Sequence, residues 1–349
     1  MGTVSICQAN ALDLPLANNS VDLVVTSPPY FGLRSYKDSG VHYDGQIGAE
    51  STPSEFIDAL VAATKEMVRV AKPSGSIWVN LGDSYKSGGL TLVPARFAIA
   101  CADRLGLTVR AEVVWSKAGK GFIDARAKGR VRKTHEHWVH LVQQPDYVYT
   151  DALAVQPDQS ERPQRLRAEQ LFRDGGLTER HRRAIRAVGI IDSKGGAVRS
   201  GGSWESENGR LAAEAREVLG SYYREFCTSG AAIMPPSVLE VPAESFKVPK
   251  GVAAEGHYAS FPTFWPEFIV SGWSRPGDTV LDPFGGTGTT ALVASVLGRN
   301  AISVDMSADY SRIARWRTAD PSQRAKVAER HQRNGCPAQE PIFDLDDAA

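Results

Sequence analysis

Apolar residues in this chain follow two rhythms, short β-branched runs and longer stretches at helical spacing, and the two alternate. Residues 4–7 read as a first short strand. Val21-Asp22-Leu23-Val24-Val25 reads as a buried one, closed by prolines that cannot continue a ladder. Thr52-Pro53-Ser54-Glu55 has the form of a capping box with proline at the first helical position. Phe56, Ile57, Leu60, Val61, Met67 and Val68 follow at helical spacing, and Pro73-Ser74-Gly75 is expected to end that helix. Ser76-Ile77-Trp78-Val79-Asn80 is the next strand, 93–105 a helix stopped by Gly106, and 107–115 a strand apolar at every second position. A strand at 135–142 follows. Near the other end come a helix at 266–273, a strand ending at Asp282, a helix to Leu297 capped by Gly298, and a strand at 301–304 closed by Asp305. This order predicts an α/β fold: a doubly wound, mostly parallel sheet with helices on both faces.

Three segments fall outside that alternation. Residues 31–48 are polar, glycine-containing and aromatic, hence a loop. Residues 156–241 are arginine-rich and locally helical, interrupted by a Gly/Ser-rich stretch at 195–203, with too little apolar periodicity for the sheet. They read as an inserted, partly helical module. From Asp320 onward the chain is polar and poorly patterned, and is expected to be a loosely ordered tail.

Composition narrows the function classes. Forty basic and forty acidic residues cancel, so no global field announces a polyanionic partner and local charge must carry that case. One local run does: Lys117, Lys120, Arg126, Lys128, Arg130, Arg132 and Lys133 face a single acid, Asp124, in a glycine-containing segment after a strand. That suits phosphate contact, the alternative being a solvated loop. The four cysteines are scattered without metal or redox spacing, which fits a reducing cytoplasm. No apolar run is long enough to span a bilayer.

The chemistry concentrates in two stretches. In Thr26-Ser27-Pro28-Pro29-Tyr30, two prolines fix the backbone and remove two donors, leaving carbonyls to point into a cleft between a hydroxyl and an aromatic ring. A rigid loop with acceptors beside a flat ring suits a planar group carrying an amine, such as a nucleobase; a plain turn is the alternative. In Asp282-Pro283-Phe284-Gly285-Gly286-Thr287-Gly288-Thr289, glycines let backbone approach a ligand at the head of a helix. Asp305, one strand later, is placed to accept from ribose hydroxyls. The histidines of His135-Glu136-His137-Trp138-Val139-His140 could suggest a metal, but no third ligand stands at convincing spacing, so no metal site is expected.

Together these stretches, the first before the second, resemble the beta class of amino-group DNA methyltransferases. The resemblance covers roughly 4–150 and 238–317. It implies S-adenosylmethionine as cofactor, double-stranded DNA as substrate, and a cognate restriction endonuclease as a candidate partner. It divides the chain into a catalytic half at 1–155, a target-recognition module at 156–241, a cofactor-binding half at 242–319 and a tail at 320–349. Ser27, Pro28, Pro29 and Tyr30 would be catalytic. Asn10 (where the family commonly carries an acid), Phe261, Asp282, Pro283, Phe284, Gly285, Gly286, Gly288, Thr289 and Asp305 would bind the cofactor. Lys117, Lys128, Arg130 and Arg132 would contact phosphates, with Arg199, Asn208 and Arg210 reading bases. Thr134-His135-Glu136 also resembles a family signature without a metal role. No Pro-Cys pair offers the nucleophile that methylation of cytosine at ring carbon 5 uses. Ser27 resembles enzymes acting on cytosine N4, adenine N6 being the alternative, since both amines need the same acceptors. More distant readings are a DNA-binding protein without catalysis, or a methyltransferase acting on RNA or a protein amide.

Overall fold

In a computed structural model, residues 2–32, 37–38, 41–42, 46–117, 129–153, 235–244, 246, 248–249, 251–252 and 260–333 are described. The chain divides into a unit of Met1–Leu153 with Pro236–Ala349 and a second of Ala154–Pro235, of which 154–234 lie outside the described residues. The locally helical stretches read from the sequence of this module, at 162–172, 179–188 and 210–226, fall among those undescribed residues.

The first unit is built on one eight-stranded sheet. Its strands are β1 (Val4–Gln8), β2 (Val21–Thr26), β3 (Ala71–Leu81), β4 (Thr108–Ser116), β5 (His135–Val142), β6 (Val238–Glu240), β7 (Thr279–Asp282) and β8 (Asn300–Asp305). Their spatial order is β1-β8-β7-β2-β3-β5-β4-β6. Five of the seven neighbouring pairs are parallel, and among these strands β5 alone runs against both its neighbours. Two two-residue hairpins, Lys37–Asp38 with Val41–His42 and Tyr85–Lys86 with Gly89–Leu90, lie apart from it.

The period-two rule explains the two layers packed on this sheet. Val24, Ile77, Val79, Val139, Leu141 and Leu281 enter one core with Phe56, Ile57 and Leu60 of helix α1 (Pro53–Val70) and Phe97 of α2 (Val93–Leu105). Leu23, Val25, Trp78, Trp138 and Val280, their alternates, enter the other. That side holds Trp265 and Ile269 of α3 (Phe264–Trp273) and Ala291 and Ala294 of α4 (Thr289–Val296). Helix α1 begins as expected: the Thr52 hydroxyl accepts from the Glu55 amide at 3.2 Å while the Glu55 carboxylate accepts from the Thr52 amide at 3.0 Å.

Two expectations need correction. Pro73-Ser74-Gly75 does not end α1, which stops at Val70; it lies inside β3 as an irregularity where Val21 pairs with Ala71 but Leu23 with Ser76. A Cβ on Gly75 would come within 2.7 Å of the Asp22 carbonyl, so a glycine serves the close approach of the two strands there. The tail expected from Asp320 is not loose throughout. After α5 (Ala308–Ala319), Pro321–Arg333 forms a further helix, α6. Among its described residues the one buried apolar side chain, Val327, packs on Leu292 and Val293, and its arginines do the rest of the docking, a signature apolar periodicity cannot carry.

Candidate active site

The sheet places both chemical stretches side by side. β2 and β7 are parallel neighbours, but β2 leads toward α1 on one face and β7 toward α4 on the other. Chains that diverge from adjacent strands open a crevice at their carboxyl ends, where α/β folds bind ligands. A cleft of about 840 Å³, a figure that takes in the open solvent at its mouth, lies there. Ser27 and Pro29 line it from β2, Pro283, Phe284 and Gly286 from β7, Asp305 from β8, and Asn10 from the turn after β1. Leu12, Ile47 and Tyr310 add apolar walls.

Asp282 works one layer beneath the cleft. It is 2% exposed and joins the two stretches: its Oδ1 accepts from the Thr26 hydroxyl at 2.6 Å and the Phe284 amide at 3.1 Å, its Oδ2 from Thr290 at 2.8 Å. Burial raises its pKa to about 6 against the pull of those hydrogen bonds.

The glycine turn owes its shape to three different constraints. A Cβ on Gly285 would lie 1.9 Å from the Ser303 hydroxyl, and one on Gly288, at φ +77°, 2.9 Å from the Ala314 Cβ. At Gly286, φ +49°, the nearest atom would be 3.9 Å away, so its bare Cα faces the cleft. The amides of all three are used within the fold: Gly285 donates to Val304, Gly288 to Gly285, and Gly286 to Asp305 Oδ2 at 2.9 Å. Asp305 Oδ1 accepts from the Ser307 amide at 2.8 Å, so this carboxylate shapes the turn as well as lining the cleft. Beneath, the buried Arg317 guanidinium donates to the hydroxyls of Thr287 at 2.9 Å and Thr289 at 2.8 Å. Burial brings its pKa down to about 10.

On the other wall, Ser27 donates to Asn80 Oδ1 at 3.3 Å, and the Tyr30 hydroxyl lies 2.5 Å from that same oxygen and 2.8 Å from Glu136 Oε2. Asn80 donates through Nδ2 to the His137 carbonyl at 3.2 Å, which fixes its amide with the oxygen toward the loop. Asn80 was missed by the sequence reading, where it counted only as a strand residue; a polar side chain ending an apolar strand was the available signal.

Other expected site residues scatter. Asn10 lines the cleft and also accepts from the Leu12 amide at 3.0 Å as a turn-former. Phe261 does not line the cleft; it sits edge-on to Trp138, 5.5 Å between centroids, in the second core. Lys117 is drawn inward, ion-paired to Glu136 and 4.6 Å over the Trp115 ring. Arg130 stacks 3.7 Å over Tyr85, and Arg132 is exposed. Lys128, Arg199, Asn208 and Arg210 lie outside the described residues. The strand histidines have structural partners: His140, pushed down to about 3 by burial, stacks on Trp78 and contacts Ser76, and His137 contacts Glu112. Among the described residues no cluster is placed to hold a metal ion.

A crevice of this kind, with an acceptor loop on one side and a glycine turn with a following acidic strand end on the other, defines an α/β fold of the methyltransferase type. The DNA methylase family profile matches residues 21–315, and the chain belongs to that family. It is 24% identical over 325 residues to the type II methyltransferase M.SmaI of Serratia marcescens, covering 85% of this chain and 83% of that one. With M.PvuII of Proteus hauseri it is 25% identical, covering 87% and 79%. Among solved structures, PvuII DNA methyltransferase (cytosine-N4-specific) superposes with a TM-score of 0.57 at 20% identity, covering 95% of this chain and 93% of that chain. A putative DNA modification methylase of Thermus thermophilus gives 0.51 at 18%, covering 91% and 95%.

Proposed function

We propose that the protein transfers a methyl group from S-adenosylmethionine to the N4 amine of a cytosine flipped out of duplex DNA. The observation that carries this is the one cleft shared by Ser27 and Asp305. The lining of the cleft fits the cofactor: it has apolar walls from Leu12, Ile47 and Phe284, and a carboxylate at the end of β8 able to accept from ribose hydroxyls. A similar Thermus structure was solved complexed with S-adenosyl-L-methionine, which supports the choice. Bound there, S-adenosylmethionine supplies an electrophilic methyl group on a sulfonium.

The residues on the β2 side make the amine ready. An exocyclic amine is a poor nucleophile because its lone pair is delocalised into the ring. Ser27 commits its proton to Asn80, which leaves its oxygen lone pairs for the amine's hydrogens. The Pro28 carbonyl is the second acceptor. Accepting both hydrogens favours a pyramidal nitrogen, and holding it against the methyl supplies much of the remaining rate. Tyr30 stacks on the base, which must leave the helix to reach the loop. Serine at 27, and the likeness to a structure titled cytosine-N4-specific, support cytosine over adenine. The module at 154–235 is the candidate for sequence choice, and a cognate endonuclease the candidate partner.

Gly286→Asp tests the cofactor half of this site. A Cβ there meets no atom closer than 3.9 Å, and aspartate is among the side chains that adopt φ +49° at least cost, so the new carboxylate enters the cleft beside Asp305. Calorimetry is expected to show S-adenosylmethionine binding in the parent and its loss in the variant. Unchanged affinity in Gly286→Asp would place the cofactor elsewhere.

A further inference from the structure

We propose that Glu136, anchored by Lys117, is the positioning residue that holds the Tyr30 ring for the flipped base. The inference rests on the reading of Tyr30 as the stacking surface. It begins with topology. β5 runs antiparallel to β3 and β4, so its first residues lie at the carboxyl-end edge of the sheet, beside the loop that follows β2. Glu136 stands opposite Trp115 near the end of β4 and is 8% exposed.

Three contacts define the ring. Its Cδ2–Cε2 side lies against Gly82, where a Cβ would approach Cε2 to 2.6 Å and Cδ2 to 2.9 Å. The hydroxyl meets Asn80 at 2.5 Å and Glu136 at 2.8 Å, and its one proton serves both oxygens. A carboxylate is the stronger acceptor of the two. A buried carboxylate needs a countercharge, and Lys117 supplies it on the other oxygen, Oε1. Lys117 is itself held over Trp115 at 4.6 Å with 18% of its side chain exposed, so the pair is fixed at both ends. Anchoring the hydroxyl stops the ring swinging about χ1, the close approach of Gly82 opposes rotation about χ2, and together they hold the plane that a stacked base requires. The first cation of the basic segment thus serves the catalytic loop rather than a phosphate.

A double-mutant cycle separates this role from plain structural support. Single-turnover transfer of labelled methyl to a duplex substrate is measured for the parent, Glu136→Gln, Tyr30→Phe and the double variant, with cofactor affinity by calorimetry. Glu136→Gln is expected to slow transfer about tenfold, within the range that small misplacements cost, with cofactor affinity unchanged. In the Tyr30→Phe background it is expected to cost nothing further. Lys117→Met with Glu136→Gln removes both charges together, leaves no unpaired buried ion, and is expected to show the same loss. A full parental rate in Glu136→Gln, or a further tenfold loss when Glu136→Gln is added to Tyr30→Phe, overturns the role of Glu136 while leaving methyl transfer intact. A parent that transfers no label overturns the proposed function and this role with it.

Discussion

At the scale of single residues, Asp282 shows how a motif residue can matter without touching a ligand. Its carboxylate binds the strand before the Pro-Pro loop to the first residues of the glycine turn, so it sets the spacing of the two reacting sides. Its pKa, raised from 3.8 to about 6 chiefly by burial, makes that tie sensitive to pH. The folded state holds a proton that the unfolded chain releases between pH 4 and 6. This group therefore favours folding most at the acid end and loses that contribution as pH rises through about 6. In Asp282→Asn the amide keeps an acceptor for Thr26 and Phe284, and Thr290 can turn its proton to the Val25 carbonyl, 3.3 Å away. Urea midpoints from pH 4 to 7 are expected to fall in the parent relative to Asp282→Asn. Parallel midpoints would show that Asp282 does not titrate in that window. The sequence made Asp282 visible as part of a motif, but a linear motif does not say which side chain faces a cleft and which lies beneath it. Phe261 illustrates the same limit from the other side, since an aromatic flanking a cofactor motif packs equally well into a core.

At the scale of elements, the strands and most helices were legible because each carries its own periodicity and its own stop signals. What was not legible depended on partners distant in sequence. Helix α6 has a polar sequence with one buried apolar residue among those described, and its docking is electrostatic. Arg330 approaches the Glu267 carboxylate at 3.3 Å and His331 at 3.1 Å, while Arg324 reaches Ser295 and the Thr318 carbonyl, each at 3.0 Å. Glu267 is 5% exposed, so its charge needs those partners. Arg330→Ala is expected to destabilise by about 1–2 kcal/mol, below the roughly 3–5 kcal/mol of a fully buried pair because Arg330 is partly solvated and His331 remains. Denaturant unfolding measures this directly, and a change within about 0.5 kcal/mol, that of an ordinary surface substitution, would mean that the Arg330–Glu267 pair does not hold α6 in place. The irregularity in β3 was hidden for a related reason. Pro73-Ser74-Gly75 has the composition of a helix stop, and only the neighbouring strand reveals that the same residues bend a strand around Asp22.

At the scale of the molecule, the fold delivers two loops distant in sequence to one crevice, and the antiparallel strand β5 adds Glu136 to the same edge. The division of labour follows from that placement. In the proposed reaction one wall prepares an amine, the other receives a cofactor, and the methyl group crosses between them. The order of the two motifs along the chain was readable from the sequence; their meeting at one switch point is a property of the sheet. The most direct test of this account is nucleoside mass spectrometry of duplex DNA treated with the purified protein and methyl-labelled S-adenosylmethionine. Labelled N4-methyl-2′-deoxycytidine is expected from the parent and none from Ser27→Ala. Labelled N6-methyl-2′-deoxyadenosine without methyldeoxycytidine would contradict the choice of base, and an undiminished product from Ser27→Ala would contradict the role of the acceptor loop itself.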